Sequence, residues 1–176
     1  ATSVQAYKYG MLNPKAHLHK EVTVDGVLKS FMVCSPLQLH DCCPFSDGAA
    51  AVVIASEEAA RKLTDKPVHM IGIGQASSGP LSNQQEYLPR IRAREISSKQ
   101  AYDMAGIKPE DVDVAEIHDC FSIANLIAAE SLGFFEFGKS GEAWINGEAD
   151  IGGKVAINLS GGLKSKGHPI GATGAG

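Results

Sequence analysis

The sequence predicts an α/β fold, and two observations carry that prediction. Twice in its second half a short apolar strand runs into a loop and then into a helical pattern: "VDVAEI" into "HDCFS" and "IANLIAAESLGF", and "KVAINL" into "SGGLKSKGHPIGATGAG". In the first half, "AAAVVIAS" followed by "SEEAARKL" reads as a buried strand that feeds another helix. Strands alternating with helices imply a parallel sheet with helices packed on its faces.

The elements follow in chain order. Residues 1–33 begin within an element, and "PKAHLHKE" sets His17 and His19 in an exposed loop rather than a ligand pair. "VTVDGVLKS" reads as a strand end or a short helix, and "FMVCSPLQLHDCCPFSDG" as turn-rich chain. The nearly continuous apolar run from Ala49 to Ser56 suits a strand buried on both faces. Ser56 then caps a helix whose first turn holds two acids. Lys66-Pro67 breaks that helix, Val68 to Ile73 makes a new strand, and "GQASSGP" is a loop. A domain boundary is expected near Asp65, dividing residues 1–65 from residues 66–176.

Glu95 to Ala105 is predicted helical with Gly106 as its stop, and Val112 to Ile117 as a strand. The helix after "HDCFS" is apolar nearly all round, hence buried, with Ser122 as its candidate N-cap. "FEFGKSGEAWINGEADIGG" reads as a surface stretch, and the end of the last loop has the composition of a helix start. The two strand-to-helix units each deliver a histidine, His118 and His168, at the carboxyl end of a strand. Ligands of open α/β sheets sit there, facing helix N-termini.

Composition excludes several classes of function. Hydrophobic residues make up 44% and charged residues 20% of 176, a globular balance. The net charge of −4 is dispersed and no basic run is interleaved with aromatics, so no nucleic acid is expected. No apolar run reaches the length of a membrane span, so no membrane is expected either. Cys34, Cys42, Cys43 and Cys120 make a poor disulfide framework and read as reduced thiols, which suggests a cytoplasmic setting. His40, Cys42 and Cys43 lie close together but lack a second ligand pair, so no metal is expected.

Two loops carry the chemistry. In "GLKSKGH" the phosphate-cradling pattern fails because His168 stands where lysine is required, and "GATGAG" has the wrong glycine order for a dinucleotide. His168, between Gly167 and Pro169, is then either a catalytic imidazole or one packed in a glycine turn. "HDCF" supplies an imidazole able to donate to an oxyanion and a thiol whose anion a helix N-terminus favours. The bland alternative is a structural cysteine beside a surface His-Asp pair. Together the loops point to Cys/His acyl-transfer chemistry.

"AEIHDCFSIANLIAAESLGF" and "INLSGGLKSKGHPIGATGAG" resemble the C-terminal domain of thiolases, in the sterol-carrier-protein-X-like branch where His-Asp-Cys-Phe replaces Asn-Glu-Ala-Phe. "DCCPFSDGAAAVVIASEEAA" resembles the last strand of that family's N-terminal domain. The resemblance implies a thiolase fold, two βαβαβαββ halves layered α-β-α-β-α, of which residues 1–176 hold the end of the first half and most of the second. It implies a family nucleophile, a cysteine, that lies before Ala1, and an inactive chain when alone.

For the whole enzyme the resemblance implies an acyl-CoA C-acyltransferase that condenses acetyl-CoA with acyl-CoA or cleaves 3-ketoacyl-CoA. His168 would activate the nucleophile, His118 complete the oxyanion hole and Cys120 move the proton at the acetyl carbon. Phe121 would pack on pantetheine, and Ser77 or Ser78 would contact coenzyme A. No resident cofactor is implied, since coenzyme A thioesters are substrates. The family's habits imply a homodimer or homotetramer, and archaeal relatives pair with a hydroxymethylglutaryl-CoA synthase through a small bridging protein. The alternatives are an acyl-CoA-binding or scaffolding subunit without chemistry, and a thiolase-like aldolase.

Overall fold

A computed structural model of the chain describes residues 1–80 and 89–176. Its elements are α1 (Thr2–Leu12), α2 (Val24–Leu28), β1 (Met32–Cys34), β2 (Leu37–Gln38), α3 (Glu57–Leu63), α4 (Arg92–Ala105), β3 (Val114–Ala115), α5 (Ser122–Ser131), α6 (Ser140–Ile145), β4 (Ala156–Ile157) and α7 (Gly162–Ser165). β1 and β2 pair antiparallel, and β3 and β4 pair parallel, with Val114 opposite Ala156 and Ala115 opposite Ile157. The parallel pair is the part of the predicted sheet that the described residues contain, and both histidine loops leave from its carboxyl end.

Several local expectations hold for the expected reasons. Ser56 caps α3 by accepting the Ala59 N–H, and Gly106 ends α4 at φ 69, in the left-handed region that glycine enters without a Cβ clash. α4 starts three residues earlier than expected, at Arg92. The N-cap of α5 is Phe121, not Ser122. Ser122 is the first helical residue, and its hydroxyl donates to Asp41 Oδ1 at 2.7 Å instead of closing the helix end.

Three expectations are corrected. Ala49 to Ser56 forms no strand, and Val53 is 86% exposed. A strand buried on both faces requires ladder partners and covering layers, and no other described strand lies beside this run. Val68 to Ile73 likewise joins no ladder. Its neighbour is instead a helix: a Cβ on Gly72 would run into the carbonyl oxygen of Ala101, and one on Gly74 into that of Ser97. The alternation Ile71-Gly72-Ile73-Gly74 therefore serves close approach to the backbone of α4, while both isoleucines stay exposed.

The third correction concerns the stretch read as surface. Phe135, Ala143, Trp144 and Ala149 from it are buried, with Phe134, Ala129, Val155 and Ile157, in one hydrophobic cluster. The rings of Phe135 and Trp144 meet edge to face with centroids 5.9 Å apart. Burial of each large side chain contributes about 1.5–3 kcal/mol, so this cluster anchors β4 against α5 and α6. The expectation for α5 holds for Asn125, Ala128, Ala129 and Ser131, but Ile123 is exposed.

The first helix has a part that its sequence did not announce. α1 packs on α7 so closely that a Cβ on Gly10 would overlap the Ser165 side chain, and one on Gly161 would lie 2.8 Å from the Gly10 Cα. The segment after α1 continues the seam. His17 N donates to Lys166 O at 2.9 Å, Leu18 N to Ser165 O at 3.0 Å, and Asn13 Nδ2 to Ser160 O at 2.8 Å. The amino-terminal residues thus form the wall behind the glycine-rich loop.

Candidate active site

β3 and β4 end side by side, and their ends are tied before either loop begins. Asn158 closes β4 at φ 56, a left-handed conformation in which asparagine is enriched. There its Oδ1 accepts the Ile117 N–H at 2.7 Å while its own N–H donates to Ala115 O at 2.8 Å. Glu116 adds a second tie, accepting Ser160 N at 2.8 Å and Ser160 Oγ at 2.7 Å. Asp119 adds a third, with Oδ1 accepting Leu163 N at 2.7 Å. The three ties fix the loop 116–121 to the loop 158–168.

The consequence is that His118 and His168 meet. Their ring centroids are 5.0 Å apart and their planes 80° apart. Burial, and next the proximity of His168, hold the His118 imidazole below its ordinary value, so the neutral ring is favoured. His168 is held from two sides. Its N–H donates to Ser46 Oγ at 3.1 Å, and the same hydroxyl lies 2.9 Å from His17 Nδ1. Its Nδ1 lies 2.7 Å from Thr173 Oγ1, and that hydroxyl donates to Pro169 O at 3.0 Å. With the one Thr173 proton committed to Pro169, Nδ1 of His168 is the donor and Nε2 carries the free lone pair.

Gly167 explains the glycine before this histidine. Its φ is 114, and a Cβ there would lie 2.8 Å from Ser46 Oγ and 3.2 Å from His17 Cβ. A cavity of about 550 Å³ opens in front of the pair, lined by Glu116, His118, Gly162, Lys166, His168 and Thr173 among others. That volume lies in the range of small-molecule sites.

Cys120 sits at the base of the first loop. Its carbonyl accepts Cys43 N–H at 2.9 Å, beside an antiparallel bridge between Cys42 and Phe121, so Cys43 stands opposite Cys120. Burial first, and then the Asp119 carboxylate, push the Cys120 thiol above its ordinary value, while Lys164 opposes them. Phe121, partly exposed, precedes the first turn of α5.

The structure brings together His118 and His168 from the two loops that the sequence singled out, while Cys120 and Phe121 follow His118 in the same loop but do not line the cavity. Ser77 and Ser78 are placed differently, at the start of α4. Ser78 Oγ accepts Ala93 N in the first turn of α4 at 2.8 Å, and Ser77 Oγ accepts Gly79 N within its own loop at 3.3 Å. Among the described residues no cluster of three or more His, Cys, Asp or Glu is arranged for a metal. His40, named with Cys42 and Cys43 in that context, stacks edge-on against Tyr7.

Sequence reasoning missed Ser46, His17 and Thr173, which orient His168, and Asn158, which joins the strands. A polar residue directly after each strand was the available signal for Asn158. Ser46 and His17 gave none, because their partner lies more than a hundred residues along the chain.

Comparison with known proteins places this geometry in a family. Residues 74–175, more than half of the chain, match the family described as thiolase C-terminal domain-like. The acetyl-CoA acetyltransferase of Methanothermobacter thermautotrophicus is 45% identical over 162 residues, 92% of this chain and 42% of that protein. The one from Methanocaldococcus jannaschii is 40% identical, over 98% of this chain and 45% of its own. Sterol carrier protein 2 of Oryctolagus cuniculus is 39% identical over 96% of this chain and 32% of its own. The solved Ltp2-ChsH2(DUF35) aldolase superposes with a TM-score of 0.87 at 27% identity, over 98% of this chain and 46% of that one. The chain spans less than half the length of these relatives. No described helix is long and apolar enough to cross a membrane. With the family model, the relatives and the fold in agreement, the chain belongs to the thiolase C-terminal domain-like family.

Proposed function

We propose that this chain supplies the acid/base half of an acyl-CoA C-acyltransferase of the thiolase type. The observation that carries the reading is the edge-on meeting of His118 and His168, 5.0 Å apart, over an open cavity with Cys120 at the foot of the same loop. The reading is supported by the acetyl-CoA acetyltransferases among the relatives. The acylated thiol belongs to the part of such an enzyme that this chain does not span.

In the proposed reaction Nε2 of His168 takes the proton of that thiol, whose sulfur attacks the acyl-CoA carbonyl and expels the coenzyme A thiolate. The thiolate leaves with the proton from His168. Acetyl-CoA then binds, and the Cys120 thiolate removes a proton from its methyl carbon. The enolate oxygen so formed accepts an N–H from His118, placed where charge develops. The enolate carbon attacks the acyl-enzyme carbonyl, the carbon–carbon bond forms and the enzyme thiolate is released, which takes the proton held by Cys120 and so restores both groups. Thiolytic cleavage is the same path reversed. In this reading Phe121 packs on the pantetheine arm, and Ser77 or Ser78 contacts coenzyme A. No resident cofactor is required in this scheme. A homodimer or homotetramer, and a complex with a synthase through a bridging protein, accompany the same reading.

A second reading, a thiolase-like aldolase, has one observation in its favour, the aldolase structure that this chain superposes on. The experiment separates the readings. Full-length protein carrying this chain is mixed with acetoacetyl-CoA and coenzyme A, and acetyl-CoA is followed by chromatography. Thiolysis by the full-length protein, and none by residues 1–176 alone, is expected. Turnover by residues 1–176 alone would contradict the assignment of the nucleophile. Binding of acyl-CoA by full-length protein without turnover would favour an aldolase or a binding subunit.

A further inference from the structure

Lys164 is a lysine with no exposed surface at all, 0% of its side chain being accessible, and Asp119 is its equal at 0%. Lys164 Nζ stands 3.7 Å from Asp119 Oδ2, an ion pair longer than a hydrogen bond. Neither atom has a hydrogen-bond partner. The carboxylate cannot retreat. Its Oδ1 is held by Leu163 N at 2.7 Å, and its Oδ2 lies so near Gly162 that a Cβ there would collide with it. A buried ion pair with unfilled hydrogen-bonding capacity is weak evidence for stability, since well-packed apolar residues commonly do as well. Its place in the site gives it another reason to exist, because Asp119 adjoins Cys120 and Lys164 lies four residues before His168.

We propose that Lys164 is a positioning residue for Cys120: its buried ammonium, 3.7 Å from Asp119, pins the loop 118–121 to the loop 161–168 and offsets the carboxylate next to the Cys120 thiol. The inference rests on the reading of Cys120 as the acid/base group, and it adds what sets that group's charge. The groups that face Lys164 are Asp119 before α5, Asp41 in the turn after β2, and the thiols of Cys120, Cys43 and Cys42. Cys120 in turn feels Asp119, Lys164, Cys43 and the Arg94 guanidinium of α4. Burial dominates and holds the Lys164 ammonium below its ordinary value, opposed first by the Asp119 carboxylate, then by Asp41 and by any thiolate formed at Cys120 or Cys43. Loss of that ammonium leaves Asp119 as a buried, uncompensated anion beside a thiol that must ionise.

The test reads the thiol itself. Full-length protein is alkylated with iodoacetamide across pH, and the rate at Cys120 is followed by mass, with exposed Cys34 as internal reference. Lys164→Met is expected to raise the Cys120 midpoint by about one unit, which is about tenfold slower alkylation at a fixed pH below it. Asp119→Asn should lower the midpoint, and the double variant should lie above Asp119→Asn alone. The double variant also guards against misfolding, because it leaves no unpaired buried charge. A folded Lys164→Met with an unmoved midpoint overturns the proposal. So does a double variant that matches Asp119→Asn, or one that fails to fold, which would make Lys164 purely structural. Should the midpoint move while thiolysis stays unchanged, the acid/base role of Cys120 fails and the charge relationship stands.

Discussion

The imidazole of His118 stands edge-on to that of His168, with 5.0 Å between centroids and 80° between planes. Each ring comes from a different strand-to-helix loop, so their meeting reports the alignment of the two strands. It also couples their charges. His118 is held below its ordinary value of 6.5 by burial first and by His168 second. An NMR titration of His118 is therefore expected to give a midpoint below 6.5, and His168→Phe should move that midpoint up. The sign for stability follows. Between the lowered folded midpoint and 6.5, the unfolded chain binds a proton that native His118 does not, so this group makes unfolding easier as pH falls through that window. A midpoint indifferent to residue 168 would contradict the coupling.

His168→Asn keeps size and some hydrogen bonding but removes Nε2 as a base. In full-length protein, acylation of the nucleophilic thiol by acyl-CoA is expected to slow by roughly 10²–10⁴-fold, the usual worth of a positioned general base. Thermal stability should change little. A packed histidine predicts the reverse, a lower melting temperature with a normal acylation rate per folded molecule. Stopped-flow acylation and a melting curve on the same preparation decide between them.

Cys120→Ala should abolish condensation and thiolysis while acyl labelling of the nucleophile, read by mass, persists. The thiol is only half-buried, so its removal should leave the fold intact. Loss of labelling together with turnover would instead indicate a collapsed site.

Gly167→Ala places a Cβ at φ 114, a backbone conformation that residues with side chains rarely adopt, and within 2.8 Å of Ser46 Oγ. The expected cost is about 1–3 kcal/mol in denaturant unfolding. Because Ser46 also holds the His168 N–H, the acylation rate should fall as well. Ser46→Ala removes the hydroxyl without the strain, so it should lower the rate with a smaller loss of stability. Equal losses of stability in the two variants would assign the effect to packing alone.

Much of the fold near the site was legible in the chain. The helix from Glu95 to Ala105 with its glycine stop, the Ser56 cap and the two strand ends that each deliver a histidine all follow from local pattern. So did the grouping of His118 and Cys120, which lie two residues apart. What failed locally failed for physical reasons. "AAAVVIAS" has the composition of a buried strand, but burial belongs to its neighbours rather than to the run itself, and here it stays exposed. "FEFGKSGEAWINGEADIGG" looks polar on average. Phe135, Ala143, Trp144 and Ala149 turn inward, while Phe137 stays exposed, because α6 folds back against α5, an event that no window of residues encodes.

The sequence by itself determined which loops hold the candidate residues and at which strand ends those loops begin, because strand, loop and helix propensities act over a few neighbours. Only the tertiary structure decided how those residues are held. The pairs Asp119–Leu163, Glu116–Ser160, Asp119–Lys164, Ser46–His168 and Gly10–Ser165 join positions far apart in the chain. Their energy is gained only after the intervening chain has closed, so it leaves no trace in either local segment. Nothing local marks Lys164, the first of the two lysines in "GGLKSKGHP", until Asp119 is placed beside it.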